Sequence, residues 1–299
     1  LTVGARAPIL APMPAADLRA DTTAIASGAD YRLDVGRAWD FRLPSGGVIM
    51  TAALRAAAAA IADPAMRLLS ATAIFCEPIH PGPVVITPTV LRRGASAIQT
   101  RTWLRAEGSS GCEVIATFAR DRSGPDVVAR RAPDVPPPEA CADLLAGGAP
   151  MTRARFFDNL ECRLARGVAP WVEGYAAGPA RALRWFRYQH PQREAGTLDR
   201  LALPPIADTM PGALTHAIGP SDYRFYAPSV DLTLHVVDDT DREWILIDAF
   251  LGRAVNGWAT GRAEIWDDRG KYLGAATQTM YLRTVTGDPP IVDASGHDR

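Results

Sequence analysis

The stretch Pro44–Asp63, PSGGVIMTAALRAAAAAIAD, limits what this chain can become more than any other. It predicts one helix. Ser45 is placed to cap the start, Gly46-Gly47 lets a neighbouring backbone come close, and Asp63-Pro64 ends it. Between Gly46 and Ala62 the single charge is Arg55. A helix this apolar has to be buried nearly all round. Its seventeen residues are too few, and too interrupted by glycine and arginine, for a membrane span. Met50, Leu54 and Ile61 form a bulky stripe, and Ala52, Ala56, Ala59 and Ala60 a thin side. A strongly curved sheet wrapped around the helix would satisfy both.

The rest of the chain supplies such sheets. Tyr31–Leu43 reads as a strand leading into the helix. Arg67–Cys76, Val84–Arg93, Ala97–Ala106 and Glu113–Arg120 read as four antiparallel strands joined by turns at Pro81-Gly82-Pro83, Gly94-Ala95-Ser96 and Gly108–Gly111. Strand, helix, then four antiparallel strands is the order of a hotdog fold. Ser123–Pro150, with Pro136-Pro137-Pro138 and Gly147-Gly148, has linker composition, with room for one helical turn around Glu139–Leu145.

The plan then repeats weakly. Arg181–Gln189 is the leading strand, and Leu198–His216 holds a helix starting near Asp208, bent or shortened by Pro211 and Gly212. Ser229–Val237, Trp244–Leu251, Gly257–Trp266 and Leu273–Leu282 are the four strands. The expected class is α+β, a double hotdog: two tandem repeats, each a curved antiparallel sheet around a central helix, with the two sheets joined edge to edge. The expected boundaries are an arm over 1–22, a first unit over 23–122, a linker over 123–150, a second unit over 151–287 and a tail over 288–299.

Composition excludes several function classes. With 32 Lys+Arg against 33 Asp+Glu the net charge is -1, which argues against a general nucleic-acid binder. Cys76, Cys112, Cys141 and Cys162 have no C-x-x-C spacing, and the five histidines no ligand spacing, so neither a metal nor a redox motif is indicated. Cys76 and Cys112 fall in apolar strands and are expected as buried thiols, in keeping with a cytoplasmic setting. The start, LTVGARAPILAPMPAADLRAD, is broken by three prolines and does not read as a signal peptide but as a loose arm.

Two residues stand out chemically. In Ser229–Val236, Val230, Leu232, Leu234 and Val236 share an apolar face, leaving Ser229, Asp231, Thr233 and His235 on the other. A carboxylate centred in a strand points at water, at a partner half or at a site. Asp231 and His235 are about 13–14 Å apart along an extended strand, too far for a direct hydrogen bond. Gln278 lies between Ala276 and Met280 and needs partners or a cavity, because a buried unpaired amide is costly. A solvated face for Asp231 and a backbone partner for Gln278 are the plainer alternatives.

PSGGVIMTAALRAA, PVVITPTVLRRGASAIQTRTW, SVDLTLHV, REWILI, GRAEIWDDRG and AATQTMYLR, in this order and spacing over about residues 25–285, resemble the acyl-CoA thioesterase II (TesB-like) family of double-hotdog thioesterases. The resemblance implies hydrolysis of an acyl-CoA thioester, or a similar acyl thioester, by a water held between an aspartate and a glutamine, matched here to Asp231 and Gln278, with a hydroxyl residue between them. The window Gly252–Gly257 contains no serine or threonine, and Asn256 is the nearest polar group. The family's arginine before the proline ending the first post-helix strand is replaced by Glu77.

On this reading Asp231 is the general base, Gln278 and Asn256 direct the water, and no covalent intermediate forms. Gly47 and Val48 N–H groups at the helix N-terminus polarise the carbonyl. Arg92 and Arg93, or Arg130 and Arg131, meet the CoA phosphates, and no cofactor is needed. Exposed sheet edges leave room for a homodimer of double units. The competing readings are an acyl-ligand binding protein without turnover and a hotdog enoyl-CoA hydratase or dehydratase.

Overall fold

The computed structural model describes residues 15–146, 154–219, 221 and 223–288. The first unit runs through helix α1 (Leu18–Thr22), strands β1 (Ile25–Ser27) and β2 (Asp30–Val35), helix α2 (Gly46–Ile61), and strands β3 (Arg67–Phe75), β4 (Gly82–Arg93), β5 (Ala97–Arg105) and β6 (Cys112–Ala119). Strands β7 (Ala142–Asp143) and β8 (Leu160–Leu164) lead into the second unit. That unit contains β9 (Arg181–Tyr188), the short pair β10 (Arg193–Glu194) and β11 (Thr197–Leu198), helices α3 (Leu203–Ala207) and α4 (Pro211–Ile218), and β12 (Arg224–Tyr226). Then come β13 (Ser229–Val236), β14 (Ile245–Val255), β15 (Trp258–Asp267), β16 (Tyr272–Tyr281) and β17 (Arg283–Thr286).

The two units share one topology. The first orders its strands β2-β4-β5-β6-β3 and the second β9-β14-β15-β16-β13, so each leading strand lies at one edge and each first post-helix strand at the other. Those post-helix strands pair. Asp231 stands opposite Ile74 and His235 opposite Ser70, Thr72 and Thr233 hydroxyls meet at 2.9 Å, and the halves become one 13-stranded sheet. Joining them removes two open edges. Among the described residues the edges that remain in this sheet are the short strands β1 and β7, which offer little template for pairing.

Helix α2 is buried as its composition requires. Met50, Leu54 and Ile61 are in the core with Ala52, Ala53, Ala56 and Ala57, while Ala59 reaches solvent. Ala62 in the left-handed region closes its C-terminus. At the other end Ser45 is the N-cap residue but makes no capping hydrogen bond to the helix. Close packing of α2 on α3 depends on Gly47, where a Cβ would lie 2.4 Å from the Pro204 carbonyl oxygen.

Several expectations are corrected. The leading strand of the first unit ends at Val35, because Trp39 and Phe41 turn inward to pack on Phe156 at 6.1 and 4.4 Å between ring centroids. Residues 15–22 of the expected loose arm are packed: Leu18 and Thr22 are buried, and the Arg19 guanidinium donates to Asp199 at 3.0 Å. The linker is tied down as well, since Trp185 Nε1 donates to the Pro136 carbonyl at 3.1 Å and β7 within it pairs with β8. Cys112 is buried as expected but Cys76 is exposed, because the chain leaves the sheet after Phe75. Residues 1–14 of the arm, 147–153 around the linker's end and 289–299 of the tail lie outside the described residues.

Candidate active site

The second unit's central helix is not continuous, and the break makes the site. Pro204 and Pro205 open α3, and Pro211 opens α4. Proline has no N–H to continue a preceding helix, so the chain is released at Asp208–Met210. Asp208, the one charged residue between Arg200 and His216, sits in that break. Its carboxylate is buried and turned toward the N-terminus of α2 in the other unit.

Four donors converge on it. Oδ2 accepts the Gly47 N–H at 2.9 Å and the Ser45 hydroxyl at 3.2 Å. Oδ1 accepts the Ser229 hydroxyl at 2.6 Å and Gln278 Nε2 at 2.5 Å. Asp208 thus takes the helix N–H that the Ser45 side chain leaves unbonded, a cap supplied from the opposite repeat. Burial pushes its carboxyl above the ordinary value of 3.8, and the bonds from Ser229, Gly47, Ser45 and Gln278 only partly offset that rise.

Ser229 reaches this point through a β-bulge. Along β13, Ser229 stands opposite Met280 and Asp231 opposite Thr279, so Val230 is the extra residue. The bulge reverses the alternation, and Ser229 turns to the inner face with Leu232, Gln278 and Met280. The Gln278 amide also donates to Ser229 Oγ. Its orientation is set by charge, because the opposite one would aim the amide oxygen at a carboxylate. Gln278 Oε1 is thereby left buried and without a hydrogen-bond partner.

The structure brings Gln278 into the site but not Asp231. Asp231 lies opposite Thr279 on the outer face of the sheet, and its carboxylate accepts the Thr279 N–H at 2.9 Å. Adjacent strand positions point to opposite faces, so Asp231 and Gln278 are on different sides of the sheet. Asn256 is also elsewhere. With Gly257 it forms the exposed two-residue β14–β15 turn, both at positive φ (52° and 78°), the geometry an Asn-Gly hairpin favours. The hydroxyl that does stand beside Gln278 is that of Ser229, whose Oγ accepts from the Gln278 amide.

The other expected contacts also change. The amides of Gly47 and Val48 are already committed, to Asp208 Oδ2 and to the Ser45 carbonyl at 3.0 Å. Arg93 donates to the Ile61 carbonyl at 3.3 Å, at the C-terminus of α2. That lies about 21 Å along the helix from Gly47. Arg92 is exposed at the same end, and Arg130 is ion-paired with Glu264.

Asp208, Ser229, Ser45 and Gly46 line a cleft of about 1090 Å³. Phe41, Ile49, Phe75, Ile79, Phe157 and Trp171 give it apolar walls. The exposed arginines Arg42, Arg224 and Arg283 stand along it, and the buried Arg184 also lines it. Among the described residues no group of three or more His, Cys, Asp or Glu side chains could hold a metal ion. No described helix is long and apolar enough to cross a membrane.

Two family models match the chain. Residues 36–120 match the model for the acyl-CoA thioesterase N-terminal domain, and residues 131–282 match that for the acyl-CoA thioesterase C-terminal domain. No curated protein matches the sequence. Among solved structures, a hotdog-fold protein of unknown function from Alicyclobacillus acidocaldarius is similar at 22% identity and a TM-score of 0.75, over 92% of this chain and 98% of that one. The acyl-CoA thioesterase II TesB2 from Mycobacterium marinum is similar at 21% identity and a TM-score of 0.71, over 91% of this chain and 100% of that one. At these identities the structures show a common double-hotdog fold. The two domain models together span most of the chain, and the chain belongs to the acyl-CoA thioesterase family, as a thioester hydrolase.

Proposed function

We propose that the protein hydrolyses acyl-CoA thioesters with a water activated by Asp208, positioned by Ser229 and Gln278, and without a covalent intermediate. The observation that carries this reading is a buried carboxylate with a raised pKa, facing a cleft, held by four donors from both repeats. A pKa moved toward the working pH makes a carboxylate a better general base, a role worth about a hundred- to ten-thousand-fold in rate. Gln278 Oε1 accepts one hydrogen of the water, which leaves a lone pair to face the thioester. Asp208 takes the other proton, with the Ser229 hydroxyl beside it to relay or orient. Water's oxygen then bonds to the carbonyl carbon, and the tetrahedral intermediate collapses by breaking the carbon–sulfur bond as the proton held by Asp208 passes to the sulfur, which releases the CoA thiol and the free acid.

The carbonyl oxygen needs a donor as charge builds on it. Gly46, at the first turn of α2 and on the cleft wall, offers its amide together with the positive end of the helix. Arg42, Arg224 and Arg283 replace Arg92 and Arg93 as the cations for the CoA phosphates, because they stand on the same cleft as Asp208. The free cysteines, two of them buried, fit a reducing cytoplasm. Thiol release measured across a panel of acyl-CoA chain lengths tests the proposal. Tight acyl-CoA binding with no thiol released from any member would support a binding protein instead.

A further inference from the structure

One side chain on the cleft has no function in the hydrolytic step. Arg184, on β9, is 2% exposed, and its Nε, Nη1 and Nη2 are all without hydrogen-bond partners. It makes no ion pair among the described residues, although nearly every other buried guanidinium or carboxylate in a folded chain is paired. The charged guanidinium therefore sits in the protein with five donors unused.

The surroundings make room for the charge without neutralising it. A Cβ at Gly212 would lie 2.4 Å from Arg184 Nη1, so the guanidinium fills the space that glycine leaves on α4. The titratable groups that act on Arg184 are Cys162 and Tyr175. Burial pushes both of these upward, so neither is an anion near neutral pH. His216, also nearby, is kept neutral by burial. Trp171 lines the same cleft and has an unpaired Nε1–H. Gly212 lies four residues beyond Asp208, across the break between α3 and α4, and both residues line the cleft.

From this we infer that Arg184 is an anion-reading subsite at the end of the acyl pocket, and that the substrate acyl group carries a terminal carboxylate: a short dicarboxylic acid joined to CoA through one end. This rests on the thioesterase reading, since the other end must lie at Asp208. A carboxylate accepts two parallel N–H bonds from a guanidinium, and Trp171 Nε1–H can add a third. A neutral methyl end would leave the buried donors unpaired, and sites built this way discriminate strongly against analogues lacking the polar group. The exposed Arg42, Arg224 and Arg283 remain for the CoA phosphates, so the buried cation is free for the opposite end of the substrate.

The test compares kcat/KM for succinyl-, glutaryl- and adipoyl-CoA with butyryl-, valeryl- and hexanoyl-CoA, in the wild type, Arg184→Met and Arg184→Lys. The expected result is a preference of about tenfold or more for a carboxylate-ended chain in the wild type, partly kept by Arg184→Lys and lost or inverted by Arg184→Met. In parallel, thermal unfolding is followed with free glutarate and adipate against valerate and hexanoate. The dicarboxylates are expected to raise the Tm of the wild type and not that of Arg184→Met. Hydrolysis that favours neutral chains, or a preference unchanged in Arg184→Met, overturns the subsite while leaving the hydrolase reading intact. An equal loss on all substrates would assign Arg184 to CoA and also overturn it. Arg184-dependent stabilisation by dicarboxylates without any thiol release would uphold the anion site and sink the hydrolase reading.

Discussion

Asp208 Oδ2 accepts the Gly47 N–H at 2.9 Å, so the carboxylate of one repeat caps the central helix of the other. Asp208 cannot be fixed in place until both repeats have folded against each other. The Ser45 hydroxyl, which capping rules would send to its own helix, goes to the same carboxylate at 3.2 Å.

The fit at that junction is tight. In Gly47→Ala the new methyl would meet the Pro204 carbonyl oxygen 2.4 Å away and Pro205 Cα 2.6 Å away, both backbone atoms that cannot swing aside. The variant is expected to lose about 1–3 kcal/mol of stability, as overpacked cores do. Activity should fall further than stability alone explains, because α3 and Asp208 shift together. Urea unfolding beside thiol release at a temperature where the variant is folded checks both.

Ser229→Ala and Gln278→Ala should each reduce kcat while leaving KM nearly unchanged, since both act on the water and not on CoA. Ser229→Thr keeps the hydroxyl and should retain most activity. Steady-state kinetics on one acyl-CoA decides this, and an unchanged kcat in Ser229→Ala would remove the hydroxyl from the mechanism.

Charge at the cleft mouth should act on binding. Replacing Arg42, Arg224 or Arg283 with Ala should raise KM for acyl-CoA several-fold, and much less for an acyl-pantetheine thioester that lacks the nucleotide phosphates. Arg92→Ala should change neither value, because Arg92 lies at the opposite end of α2. The effects of the mouth arginines should weaken as salt is raised.

Acid should destabilise the fold through His216. Burial first, then the neighbouring Arg184 charge, lowers its pKa from the ordinary 6.5 to about 3. The unfolded chain takes up a proton near 6.5 that the folded chain refuses until about 3. The stability His216 contributes is therefore present above that upper value and is lost as pH falls, with a slope of at most about 1.4 kcal/mol per pH unit. Asp208 acts in the opposite sense, since its raised carboxyl favours the folded state more as pH falls. Denaturant unfolding from about pH 7 to pH 4 should give a flatter difference curve in His216→Phe than in the wild type.

Much of the fold was legible because its signals are local. The apolar run at Pro44–Asp63, the period-two strands and the repeated order gave the double hotdog, and Gln278 was found as a buried amide needing partners. The carboxylate and hydroxyl of the candidate site escape a local reading for two physical reasons. Strict alternation through Ser229–Val236 puts Ser229 and Asp231 on one face, and the bulge at Val230 undoes it. The bulge depends on pairing with β16, which no local pattern encodes. Asp208 does carry a sequence signal, a lone carboxylate in an apolar stretch interrupted by Pro204, Pro205 and Pro211, as Arg55 is the lone charge in the helix of the first repeat. Its role is visible only once the two units are docked. Asn256 is only the nearest polar group in sequence to the window that lacks a hydroxyl, whereas Asn256-Gly257 is the residue pair that a tight hairpin turn demands.

The central claim is that the inner-face Asp208, and not the outer-face Asp231, removes the proton from water. Thiol release from one acyl-CoA by Asp208→Asn and Asp231→Asn, each first shown to be folded, measures it directly. The account predicts a loss of about a hundred- to ten-thousand-fold for Asp208→Asn and less than about threefold for Asp231→Asn. Near-normal turnover in Asp208→Asn, or the larger loss in Asp231→Asn, would contradict it.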